Sequence, residues 1–161
     1  MKIKVREMVI NMSKSVGVVN ELLVETFSDI LQIEQRALKE GILKDLSITE
    51  IHTIDAIGMY KYRTMSEVAQ DLKITVGTLT TAINKLLKKG YVDRKRGEED
   101  RRSVMIALTR KGKLAYRIHE KFHSHMVHAT IDGLNAEEEE ILIKSLEKLN
   151  AFFKEKYKLE S

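Results

Sequence analysis

Between Thr75 and Gly90 the chain sets Gly77, Thr78, Thr81, Lys85 and Lys88 on one side of a predicted helix, with Asn84 on the flank. The leading residues are small, so the backbone can come close to base edges. Threonine offers a hydroxyl for bases or phosphates and a methyl for thymine, and lysine reaches phosphates. Thr75 opens this helix and counts as a contact candidate with the others, while Gly90 supplies the C-terminal stop. Taken alone, the same pattern also suits an ordinary solvated helix face.

A second group of residues carries a different chemistry. His119 and His123 stand four apart on a predicted helix, a spacing that lets two imidazoles bind one metal from one face. Glu34 interrupts an otherwise apolar stripe, four residues after Ile30, and a carboxylate there needs a partner because unpaired burial is costly. His52 sits beside the apolar side of a neighbouring helix. These groups are equally well read as paired polar residues of a core or an interface, with no sensing role.

The elements that must position these residues are legible in order. A long helix is expected from Val16 to Lys39, preceded by a polar arm over residues 1–14 and broken at Gly41. Its stripe is Val19, Leu22, Leu23, Phe27, Ile30, Leu31 and Leu38. Ser47 and Glu50 form a capping box for a second helix, expected to run through Ile51, Ile54 and Ile57 to about Lys61. Thr64 and Glu67 form another for a short helix bearing Met65, Val68, Ala69 and Leu72. With the Thr75 helix, whose apolar side is Val76, Leu79, Ile83, Leu86 and Leu87, this makes a helix-turn-helix unit. Ser66 and Gln70 on its first helix are expected to touch the flanking phosphate backbone.

Two short alternating segments follow, Tyr91–Lys95 and Val104–Leu108, with R-G-E-E-D-R-R between them. A hairpin with a basic tip directly after such a helix reads as a wing. Arg94, Arg96, Arg101 and Arg102 would serve it, since arginine suits phosphates and narrow minor grooves. Asp100 would orient Arg101 or Arg102 by a charge-assisted bond. Thr109 then caps a helix to about Ile131, and Asn135 with Glu138 opens a last one carrying Leu142, Leu146, Leu149, Phe152 and Phe153.

Composition bounds the rest. The 161 residues are 43% hydrophobic with no proline, which suits one mainly helical domain, and the formal charge of +4 permits a nucleic-acid partner. There is no cysteine, so disulfides and thiolate metal sites are excluded. No apolar run is long enough for a membrane span and no signal-peptide layout is seen, so a cytoplasmic protein without membrane attachment is expected. No nucleophile elbow, phosphate-cradling glycine motif or H-E-x-x-H occurs, and no enzyme activity is expected; a zinc-dependent hydrolase built on the histidines is the weaker alternative.

The run from Leu79 through G-Y-V-D-R to E-E-D-R-R-S and L-T-R-K-G resembles the MarR family of bacterial regulators, with D-R-R at 100–102 and L-T-x-K-G at 108–112 its most specific pieces. The resemblance implies a winged helix-turn-helix of about six helices and a two- to three-stranded β-wing. It also implies a single MarR-type domain over 1–161, with DNA-binding region 47–108 between helices 16–39 and 109–158 that knit two chains into a homodimer. Such a dimer presents two reading helices about 34–36 Å apart and meets a palindromic duplex.

Within the family, E-I-H-T-I-D-A-I-G, T-V-G-T-L-T-T-A-I-N, I-H-E-K-F-H and I-D-G-L look like the fatty-acid biosynthesis repressors of streptococci and related Firmicutes. That likeness implies long-chain acyl-acyl carrier protein as corepressor and no cofactor, with Glu34, His52, His119 and His123 as a polar cluster. The zinc-responsive members use a matching quartet as their metal site. Other ligands of that subgroup are missing: there is no cysteine, and position 51 is isoleucine.

Overall fold

The computed structural model describes the backbone of residues 2–96 and 104–157, and within those spans the side chains from residue 15 onward. In order, α1 (Lys2–Glu40), α2 (Ile48–Ile57), β1 (Arg63–Thr64), α3 (Met65–Asp71), α4 (Val76–Lys88), β2 (Val92–Arg96), β3 (Val104–Leu108), α5 (Arg110–Ile131) and α6 (Ala136–Tyr157) make a mainly helical chain with one small sheet. It divides into two compact units, residues 1–116 and 117–161, the second beginning within α5.

The capping boxes form as expected. The Glu50 amide donates to Ser47 Oγ at 3.3 Å and the Ser47 amide to Glu50 Oε2 at 2.8 Å. The Glu67 amide likewise donates to Thr64 Oγ1 at 3.1 Å while Glu67 Oε2 accepts from the Thr64 amide at 2.7 Å. That backbone amide holds the Glu67 carboxyl below its ordinary value. Such caps each stabilise a helix by about 1 kcal/mol. On α6, Asn135 Oδ1 accepts from the amides of Glu137 and Glu138 at 3.0 and 3.1 Å.

Two helix boundaries differ from expectation. Helix α1 begins at Lys2 rather than Val16; no proline breaks the stretch, and polarity alone does not stop a helix. Helix α2 ends at Ile57, short of Lys61, because Gly58 takes φ +73°, a left-handed stop that glycine adopts at no steric cost. A two-residue strand, β1, precedes α3 and completes a three-stranded sheet of order β1-β3-β2. Both pairings are antiparallel, with Thr64 opposite Met105, and Val92 through Arg96 opposite Leu108 back through Val104.

In the first unit the core lies between α2, α3, α4 and the sheet. Ile51, Ile54, Ile57, Val68, Leu79, Ile83, Leu86 and Ile106 are all sealed from solvent. Each contributes roughly 1.5–3 kcal/mol of burial. The α1 stripe is another matter: Leu38 is buried, but Val19, Leu22, Phe27 and Leu31 are exposed. In the second unit, no α6 residue is buried, and Leu146 and Phe152 are more than half exposed. No helix among the described residues is long and apolar enough to cross a membrane.

The start of α5 is seated tightly on the end of α4. Thr109 Oγ1 donates to the Gly90 carbonyl at 2.7 Å and accepts from the Gly112 amide at 3.1 Å, and the Thr109 amide donates to the Tyr91 carbonyl at 3.0 Å. A Cβ on Gly112 would lie 2.1 Å from the Tyr91 carbonyl oxygen, a backbone atom with little room to yield. Gly112→Ala is therefore expected to destabilise the chain by about 1–3 kcal/mol, an overpacking cost measurable by denaturant unfolding. Unchanged stability would mean that α5 does not sit this close.

Candidate nucleic-acid interface

Burial of Leu79, Ile83 and Leu86 turns the opposite side of α4 outward. Gly77, Thr78, Thr81, Asn84, Lys85 and Lys88 are all exposed on the helix. At its N-terminus Thr75 caps the helix, accepting from the Thr78 amide at 3.1 Å, and its hydroxyl meets that of Thr78 at 2.9 Å. Thr81 turns its hydroxyl toward the Gly77 carbonyl at 3.5 Å, a long contact that leaves it available to another partner. The turn between α3 and α4 passes through Lys73 at φ +54°, left-handed backbone that a lysine adopts only when the surrounding structure holds it there.

The sheet brings the other expected contacts alongside. Ser66 and Gln70 are exposed on α3, and Arg94 and Arg96 on β2. Ser66, Asn84 and Arg94 line one hollow of about 410 Å³ between α3, α4 and the sheet. Thr80 also lines it, hydroxyl bonded back to the Val76 carbonyl at 2.7 Å. In the sequence Thr80 is marked only by its place in the polar run T-L-T-T. Asp100, Arg101 and Arg102 lie outside the described residues.

A charged network lies beneath the C-terminal end of α4. Lys89 Nζ donates to both Glu50 oxygens at 2.7 Å, and also to the Asp45 carbonyl. Tyr91, almost fully buried, donates its hydroxyl to Asp45 Oδ1 at 2.7 Å. Burial alone would push both carboxyls up; the Lys89 bonds outweigh it at Glu50, and the Tyr91 bond and Lys111 charge outweigh it at Asp45, leaving both below their ordinary values. Burial and the Asp45 bond raise the Tyr91 phenol.

The acid-histidine quartet divides between the two units. In the first, buried Glu34 meets His52, its Oε1 2.8 Å from Nε2. In the second, the Nε2 atoms of His119 and His123 lie 3.2 Å apart, with the rings edge to face. At that separation the two nitrogens share one hydrogen, so one imidazole accepts while its partner donates.

The MarR family model matches residues 44–103, the span from the α1–α2 loop to the wing. The transcriptional regulator BilQ of Clostridium symbiosum is 30% identical over 69% of this chain and 74% of its own length. The chain belongs to the MarR family. The Bacillus subtilis regulator PchR is 26% identical over 73% of this chain and 74% of its own. Among solved structures, Streptococcus pneumoniae FabT in complex with DNA is 43% identical, with a TM-score of 0.82, covering 86% of this chain and 97% of that one. As a MarR-family member the chain is a DNA-binding transcriptional regulator with a winged helix-turn-helix.

The network gives a pH expectation. Because Asp45 and Glu50 are held below their unfolded values, their contribution is complete above about pH 5 and is lost as the pH falls through the depressed folded values. The melting temperature should be level from neutrality to about pH 5 and fall below about pH 4. In Glu50→Gln that fall should be shallower, and an identical acid limb would remove Glu50 from the cause.

Proposed function

We propose that this chain is a homodimeric repressor of fatty-acid biosynthesis genes that binds a palindromic operator, with long-chain acyl-acyl carrier protein as corepressor. The observation that carries it is the likeness to FabT, 43% identical over nearly the whole of that DNA-bound protein. The outward face of α4 supports Thr78 and Thr81 as base-reading residues and Lys85 as a phosphate contact, with Gly77 allowing close approach. Thr75 and Asn84 flank that face, Ser66 and Gln70 serve the adjoining backbone, and Arg94 and Arg96, with Arg101 and Arg102 oriented by Asp100, serve the wing. The exposed apolar side chains of α1 and α6 support a dimer, since a second copy would cover them.

A zinc-responsive repressor using Glu34, His52, His119 and His123 is the second reading. The observation favouring it is the convergence of the His119 and His123 Nε2 atoms at 3.2 Å, which suits two ligands of one ion. On the lipid reading the same atoms share a hydrogen bond and hold the helix face.

Fluorescence anisotropy on a palindrome from a fatty-acid gene promoter separates these readings. The acyl carrier should tighten binding while zinc and chelator leave it unchanged. A response to zinc alone, lost in His119→Ala, would transfer the sensing role to the quartet. Within the same titrations, Thr78→Ala should reduce preference for the palindrome over a scrambled duplex. Lys85→Ala should weaken both and flatten the salt slope by about 0.9, as one lost phosphate contact requires. A Lys85→Ala protein with the parental slope would remove it from the backbone contacts.

A further inference from the structure

Lys111 stands in the first turn of α5, where a cation opposes that helix's own dipole. Its ammonium is placed instead at the opposite end of another helix. Nζ donates to the Lys89 carbonyl, the C-cap of α4, at 3.0 Å and approaches Asp45 Oδ2 at 3.4 Å. It also lies 4.0 Å from the centre of the Tyr91 ring. A cation there satisfies a terminal carbonyl and complements the negative end of the α4 dipole. Asp45 in turn fixes the buried Tyr91, the residue at which α4 gives way to β2.

We infer that Lys111 and Tyr91 are positioning residues for DNA recognition, setting the angle of α4 and the wing on their scaffold without touching DNA. The inference rests on the DNA-reading assignment of α4. Three independent contacts converge on this corner: the Lys111 ammonium on the α4 C-terminus, the Tyr91 hydroxyl on Asp45, and the close seat of Gly112 on the Tyr91 carbonyl. They tie the α1–α2 loop, α4, β2 and α5 to one point. A helix tilted by a small angle about that point carries Thr78, three turns away, off its base edges. The joint therefore bears on register more than on the number of phosphates engaged.

The test uses a duplex selected by the parental protein from a random pool, a scrambled duplex of equal length, and anisotropy titrations over a salt series. Lys111 is half exposed, so Lys111→Met should fold, with circular dichroism as the check. Its affinity for the selected duplex should fall roughly tenfold, as for loss of a charge-assisted bond. Affinity for the scrambled duplex and the salt slope should stay at the parental values. Tyr91→Phe, which keeps the ring and loses only the Asp45 bond, should move the same ratio in the same direction, and Lys111→Arg should restore part of it. A salt slope lower by about 0.9 in Lys111→Met would make it a phosphate contact and overturn the inference. So would a parental ratio of selected to scrambled affinity in both Lys111→Met and Tyr91→Phe. A parental protein that selects no duplex would instead defeat the DNA-reading assignment itself.

Discussion

Burying Leu79, Ile83 and Leu86 is the constraint on which the rest of this structure depends. Once that stripe of α4 is pressed against α2, α3 and the sheet, the helix has no rotational freedom left, and its small and basic residues face outward together. The interior side is supplied by Ile51, Ile54 and Ile57 of α2, so the second helix is in effect the mould for the reading helix. A polar substitution in the stripe would cost more than core stability, because it would release the face that meets DNA.

Rotation about the helix axis is fixed by packing, but tilt is fixed by polar contacts at the ends. At the N-terminus Thr75 closes the cap. At the C-terminus Gly90 turns the chain at φ +76°, and Lys89, Tyr91 and Lys111 bind it to Asp45 and Glu50. Such a division suits a DNA-reading element: apolar contacts tolerate small sliding motions, whereas directional bonds to charged groups do not. The wing inherits the arrangement because β2 starts directly after Tyr91 and pairs with β3, whose Ile106 and Leu108 enter the same core.

The long helices follow another logic. Their apolar side chains exceed what this chain covers by itself, in α1 as in α6. Glu34 and His52 show how a charge is tolerated within such a stripe, by placing an imidazole nitrogen against the carboxylate. In the second unit His119 and His123 solve the same problem with each other. Hydrogen bonding of this kind offsets the cost of burying polar groups.

By itself the sequence determined whatever is written in near neighbours. The capping boxes at Ser47–Glu50 and Thr64–Glu67, the Thr75 cap, the Gly90 stop and the alternation of Val104, Ile106 and Leu108 depend on residues a few positions apart, and all are present in the structure. From these came the order of helices, the wing and the outward face of α4. Tertiary structure decided what depends on distant partners. Strand β1 has two residues and no periodicity, and exists only because β3 is there to pair with it. Lys89 with Glu50 and Lys111 with Asp45 join positions 39 and 66 apart. No local pattern marks such pairs, since a lysine bound to a distant carboxylate and a lysine in solvent look alike until the chain has closed around them.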